Sequence, residues 1–266
     1  MNPLQPLAVM PRAARMGIRG VLADIDDTLS THGRLTAKAY AAMENLRAAG
    51  KLVIPITGRP AGWCDHIARM WPVDAVVGEN GAFYMRHDDA ARKLVRRFAA
   101  GADERAANRN RLAAIGEAIL RAVPGVALAS DQHYRETDLA IDFCEDVPPL
   151  PRAAVDRIVA LLEAEGMTAK VSSIHVNGWF GGYDKLTMTR TLMAEVFATD
   201  LDAERDHFVF VGDSPNDAPM FAFFPNAVGV ANVRPFLDRI ATPPAYVTQG
   251  CAGAGFVELA DALLAP

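Results

Sequence analysis

Three carboxylates fall within four residues at Asp24-Ile25-Asp26-Asp27-Thr28. Held this close they repel one another, and a divalent cation relieves the repulsion. Magnesium suits such oxygen donors, because it takes one or two carboxylates and keeps several waters. The competing reading is an acidic loop whose Asp26 or Asp27 caps a helix. Gly212-Asp213-Ser214-Pro215-Asn216-Asp217 brings two more carboxylates, again as ion ligands or as a plain helix cap. Thr57-Gly58-Arg59 offers a hydroxyl and a glycine N–H, which make either an anion cradle or an ordinary turn. Lys185, after Gly181-Gly182-Tyr183-Asp184, can meet an anion as a point charge or can serve solubility alone.

The elements that must position these residues are short apolar runs. Ile18–Asp24, Leu52–Ile56, Ala75–Val77, Phe208–Val211, Val228–Val230 and Tyr246–Val247 read as strands. Helical stretches lie between them, such as Leu35–Ala49, which stops at Gly50, and Gly62–Met70. Near-continuous apolar strands separated by helices imply a parallel sheet covered on both faces, with ligands at the carboxyl ends of its strands. Pro55 is an objection to a central place for its strand. The middle of the chain reads differently. It has strand-like runs at Lys93–Phe98, Val126–Ala129 and Ala140–Phe143, and a hairpin over Ala169–Val176. Two amphipathic helices carry the stripes Leu112, Ile115, Ile119 and Val155, Ile158, Val159, Leu162. The expected organisation is a flexible leader over 1–17, an α/β core over 18–84 and 181–266, and an inserted α+β module over 85–180.

In this order and on these elements, the segments resemble the motifs of the haloacid dehalogenase-like (HAD) superfamily of phosphohydrolases. DIDDT is similar to its DxDxT, Thr57 to its second-motif hydroxyl, Lys185 to its third-motif lysine, and GDSPND to its GDxxND. The long insertion before the lysine resembles the large α/β cap subclass. That subclass includes Cof-like phosphatases and the sucrose-, trehalose- and mannosyl-3-phosphoglycerate-phosphate phosphatases. Glu79-Asn80-Gly81-Ala82 is similar to the ENGA segment of that subclass, which puts Asn80 among the substrate-binding residues, and Val228–Asn232 resembles its late strand. Asp27 departs from the commoner glycine of DxDGT, and Leu186 replaces a frequent glycine after the lysine. The fold so implied is a Rossmann-like parallel-sheet HAD core with an inserted α+β cap domain.

The resemblance implies a role for each residue. Asp24 is the nucleophile that forms an aspartyl-phosphate, and Asp26 is the acid that protonates the leaving oxygen and later the base that activates water. Magnesium is held by Asp24 and Asp213 with Asp217 in support, and by Asp26 through its backbone carbonyl. Thr57, the Gly58 N–H and Lys185 hold the remaining phosphoryl oxygens. Asn216 orients Lys185 or the nucleophile. Specificity is expected in the cap, with His133, Arg135, Glu136, His175 and Asn177 as candidates and Arg135 and His175 foremost; the tryptophans Trp63, Trp71 and Trp179 read as packing. The expected activity is a magnesium-dependent phosphomonoesterase for a small phosphorylated metabolite, a sugar phosphate foremost. The alternatives are a phosphomutase of the same superfamily and a receiver-type phosphoacceptor domain, which has no use for Asp26 or for a large insertion.

Composition sets the remaining bounds. The 266 residues are 51% hydrophobic and 22% charged, within the globular range. The net charge of −5 disfavours nucleic acid and anionic membrane as partners. No apolar run approaches the ~18 residues that a membrane span needs. Three scattered cysteines without CxxC spacing speak against a disulfide framework and for a reducing cytoplasm. A monomer or small homo-oligomer is expected.

Overall fold

The computed structural model describes residues 4–265. Six parallel strands form the central sheet, in the order Gln5–Pro6, Tyr246–Val247, Val228–Gly229, Phe208–Gly212, Gly20–Ala23 and Leu52–Pro55. A further parallel bridge joins Ile56 to Val77. The two central strands, Gly20–Ala23 and Phe208–Gly212, are buried at every residue. Alternation along them divides the core in two. Val21, Ala23, Val53, Val209 and Val211 meet Met43 and Leu46 of helix Ala37–Ala48 and Phe256 and Leu259 of helix Ala252–Leu264. Leu22, Ile54, Phe208 and Phe210 face the other way, against Met188 and Leu192 of helix Lys185–Phe197 and the aromatic pair Phe221 and Phe224. Each such side chain contributes roughly 1.5–3 kcal/mol on burial. Pro55 is tolerated because it ends the last strand in the sheet order, where a missing N–H costs little.

Two expectations about domain limits are corrected. Residues 4–17 are not a frayed leader: Gln5–Pro6 pairs with Tyr246–Val247, and Leu7 and Met10 are buried in the core. Residues 1–3 of that stretch lie outside the described residues. The strands Phe83–Asp88 and Lys93–Phe98 pair antiparallel with each other and extend Val76–Gly78. Phe83, Met85, Leu94 and Phe98 all pack on the core cluster, so this hairpin belongs to the core and not to the inserted module.

The inserted module begins with helix Ala102–Ala122 and ends with strand His175–Trp179. Its antiparallel sheet runs Thr168–Val171, His175–Trp179, Asp138–Asp142, Ala127–Leu128. Leu139, Ile141 and Val176 point to helices Ala102–Ala122 and Arg152–Ala164 and form a third cluster. Alternation therefore sends the other residues of these strands, Asp138, Asp142, His175 and Asn177, to the opposite face. Among the described residues no helix is long and apolar enough to cross a membrane.

Candidate active site

Asp24 immediately follows strand Gly20–Ala23, and its N–H is held by the Val211 carbonyl at 2.9 Å. Gly212 ends the neighbouring strand, so Asp24 and Asp213 leave adjacent strands at the same edge. Asp24, Asp213 and Asp217 each offer an oxygen, and these three atoms lie within 4.8 Å of one another. Lys185 Nζ donates to Asp24 at 2.7 Å and to Asp217 at 2.8 Å. Burial opposes the lysine charge, but Asp217 and Asp24 outweigh it and hold its pKa above the usual value. The same burial pushes Asp24 up to about 8, with Asp217 and Asp26 adding to the effect and Lys185 opposing it. Asp213 is raised too, by burial and then by Asp24 and Asp217.

One lysine does not satisfy this cluster. Asp213 Oδ1 is buried with no hydrogen-bond partner, which is the signature of a position built for a ligand. An all-carboxylate donor set suits a hard divalent cation such as magnesium. The residues therefore fit the ion that the motifs imply. Asn232 braces the arrangement, donating to Asp213 Oδ2 at 3.2 Å and to the Asp27 carbonyl at 3.0 Å. Asp27 sits at φ 55°, a left-handed conformation that glycine, asparagine and aspartate accept at low cost.

Lys185 reaches the cluster because its helix starts close beneath Gly81. A Cβ on Gly81, whose φ is +104°, would lie 2.0 Å from the Asp184 carbonyl oxygen, so only glycine fits there. Asp184 caps the helix by accepting from Thr187 N–H at 2.7 Å. Glu79, beside it, is fully buried and accepts from Ala61 N–H and Glu136 N–H, both at 2.9 Å, from Thr137 N–H at 2.7 Å, and from the Thr137 hydroxyl. It ties the start of helix Ala61–Met70 to the inserted module. Asn80 packs its side chain against Gly58 and keeps a buried, unpartnered Nδ2. Thr57 is fully buried; its hydroxyl oxygen accepts from Arg59 N–H at 3.0 Å, which leaves the hydroxyl proton as a donor.

Asp26 lies outside the three-carboxylate group. Its carboxylate is gripped by Arg59, with Nε at 3.0 Å and Nη2 at 2.8 Å. The same guanidinium reaches Glu145 at 2.7 Å and Asp131 at 3.3 Å, both on the inserted module, and stacks over Trp63 at 4.4 Å. Glu145, half-buried, is pulled down to about 2 by His175 and Arg59 against the effect of its burial. His175 Nε2 lies 2.9 Å from Glu145, close enough for an ion pair but off the line of a good hydrogen bond. Asp24, Asp26, Gly58, Arg59, His175 and Asn177 wall a crevice of only about 10 Å³. The inserted module is thus closed down on the core.

The structure brings together most of the residues picked from the sequence: Asp24, Lys185, Asp213 and Asp217 at one point, Thr57, Gly58 and Asn80 beside them, and Asp26 and His175 across the crevice. Two are corrected. Arg135 does not face the crevice as a substrate reader. Its side chain is 1% exposed and spent on Asp131, Asp138 and the Gly58 carbonyl, the last at 2.8 Å. It is a strut between module and core. Of the two roles expected of Asn216, the one at Lys185 is corrected: its Oδ1 takes the Ser214 hydroxyl at 2.7 Å while Asp217 holds the lysine, although Asn216 lines the same crevice as Asp24. Arg59, Glu145 and Asn232 were not singled out from the sequence. For Asn232 and Arg59 a signal was present, since both end segments already picked for other reasons.

The comparisons with known proteins bear on the fold and on the segment that carries the first two motifs. The haloacid dehalogenase-like hydrolase family matches residues 21–100. A phosphoglycolate phosphatase of Haloarcula marismortui is 32% identical over 126 residues, which are 47% of this chain and 48% of that protein, so the chain matches about half the length of this curated relative. A Thermoplasma acidophilum protein of solved structure superposes with a TM-score of 0.70 at 18% identity, over 92% of this chain and 98% of its own. The sucrose-phosphatase of Synechocystis, solved with sucrose and phosphate, gives 0.62 at 17% identity, over 92% and 97% of the two chains. The chain thus shares the fold of these structures over nearly its whole length, and the match to the haloacid dehalogenase-like hydrolase family lies in the segment that carries the first two motifs.

Proposed function

We propose that this chain is a magnesium-dependent phosphomonoesterase that hydrolyses a small phosphorylated metabolite, a sugar phosphate, through a phosphoryl group carried on Asp24. The observation that carries the reading is the convergence of Asp24, Lys185, Asp213 and Asp217 at the carboxyl edge of the sheet, with Asp26 two residues beyond the nucleophile. Relatives whose names specify phosphoglycolate and sucrose phosphatases support a monoester substrate.

A magnesium ion held by Asp24, Asp213 and Asp217 would supply positive charge against the phosphoryl oxygens. Lys185, the Thr57 hydroxyl and the Gly58 N–H hold the remaining oxygens so that phosphorus faces Asp24. An Asp24 oxygen attacks phosphorus, and the bond to the leaving oxygen breaks as Asp26 gives that oxygen its proton. Water then attacks the same phosphorus, Asp26 takes the proton from the water, and Asp24 is freed as inorganic phosphate departs. To carry a proton Asp26 must first leave Arg59, whose fork offers donors only. The cap must also open, since a crevice of about 10 Å³ holds scarcely one water.

Phosphate release from a panel of phosphorylated sugars and glycerates, with magnesium and with a chelator, tests the reading. Release that requires magnesium supports it. No release from any ester, or equal release in chelator, overturns it.

A further inference from the structure

The catalytic crevice is too small for a leaving group, but Asp26 also lines a second and far larger pocket of about 510 Å³. That volume lies within the roughly 300–1,000 Å³ typical of small-molecule sites. The two cavities therefore meet at the residue that must protonate the leaving oxygen. Trp63, His66 and Trp71 wall the larger one from helix Ala61–Met70 and its end, Ser30 walls it from the short strand that follows the first motif, and Tyr134 closes it from the cap.

We propose that this pocket receives the leaving group of the substrate, and that it is built for an uncharged, hydroxylated ring in preference to an anionic chain. The proposal rests on the phosphomonoesterase reading above and places specificity largely on the core, where the sequence pointed to the cap.

Three observations carry it. The first is the lining. Trp63 is 38% exposed and Tyr134 52%, so two large amphipathic rings stand open at the surface beside Asp26. Indole and phenol rings offer apolar faces to the C–H face of a sugar, while Ser30, His66 and the Tyr134 hydroxyl can meet its hydroxyls. The second is charge. Among the described residues no lysine or arginine lines this pocket, and Asp26 lines it with a carboxylate. The nearby Arg69 and Arg96 are both committed to Asp65, at 2.7 and 2.6 Å. Arg59, which stacks over Trp63 beside the pocket, is spent on Asp26, Glu145 and Asp131. A carboxylate on the leaving group would thus lose water beside Asp26 with no uncommitted cation to replace it. The third is the fit of the cap wall. A Cβ on Gly62 would lie 2.9 Å from the Tyr134 side chain, so Tyr134 rests directly on the helix that carries Trp63. The closed cap itself completes the pocket.

The test compares kcat/KM for a hexose 6-phosphate, glycerol phosphate and phosphoglycolate in the full-length magnesium-loaded protein and in the Trp63→Ala, Trp63→Phe and Tyr134→Ala variants. Both positions are surface rings, and thermal melts confirm the fold of each variant. The wild-type protein is expected to favour the hexose phosphate over phosphoglycolate by at least about ten-fold, the scale of one well-filled pocket contact. Trp63→Ala and Tyr134→Ala should lose roughly ten-fold more on the hexose phosphate than on glycerol phosphate, mainly in KM, and Trp63→Phe should recover most of that loss. Equal use of hexose phosphate and phosphoglycolate, or losses in both alanine variants that are alike on hexose and glycerol esters, overturn the pocket assignment and leave the phosphatase reading standing. Absence of release from all three esters overturns the phosphatase reading itself, and this proposal with it.

Discussion

Arg59 holds Asp26 at 2.8 Å and Glu145 of the cap at 2.7 Å with the same guanidinium nitrogen. One side chain therefore links the position of the proposed acid to the position of the cap. This gives the closed state an ionic latch that substrate entry must break.

Glu145→Gln weakens the cap side of the latch and leaves Asp26 on Arg59. Glu145 is 26% exposed, so the pair is worth only about 1 kcal/mol after solvent screening. Amide hydrogen exchange over residues 142–146 and 172–175 is expected to rise roughly five-fold, in line with that energy. Unchanged exchange in both segments would show that Arg59 does not hold the cap.

Arg135→Ala is expected to act on stability. The variant leaves Asp138 buried without its cation and Asp131 with Arg59 alone, and breaking such an arrangement costs about 3–5 kcal/mol. Urea unfolding measures the loss, and relative rates on different esters should keep their order. Wild-type stability together with a reordered substrate ranking would return Arg135 to the role of substrate reader.

The acidic cluster sets a pH dependence in metal-free protein. Asp24 keeps its proton up to about pH 8 in the folded chain and releases it near 3.8 when unfolded. Between these values the native state binds the extra proton, so this group's contribution to stability falls as pH rises from about 4 to 8. Asp24→Asn removes this contribution. In chelator, its melting temperature should decline less steeply with pH than that of the wild type and should exceed it near pH 8. Parallel profiles would mean that burial does not hold the Asp24 proton.

What the sequence made legible follows the reach of local pattern. Asp24, Asp213 and Lys185 could be read because each stands next to an apolar strand or opens a helix, and strand order in a parallel sheet puts such ends together. Arg59 could not be read, because its value lies in partners 33, 72 and 86 residues away. Arg135 was misread for the opposite reason. Its partners Asp131 and Asp138 are near in sequence, yet a charged run gives no sign that it is buried. The expected flexible leader fails over 4–17 because a two-residue strand leaves no periodic pattern to read. Pro6 belongs to the first strand in the sheet order, where proline is accepted.

The central claim is that Asp24 carries the phosphoryl group and Asp26 moves the proton, and intact-mass analysis of quenched reactions tests it most directly. Asp26→Asn, mixed with magnesium and an activated aryl phosphate whose leaving group needs no proton, is expected to gain one phosphoryl group that fragmentation places on Asp24. Without a base the adduct should break down slowly. Asp24→Asn should gain none and should release no phosphate. A phosphoryl group found on any other residue, or sustained turnover by Asp24→Asn, would contradict the account.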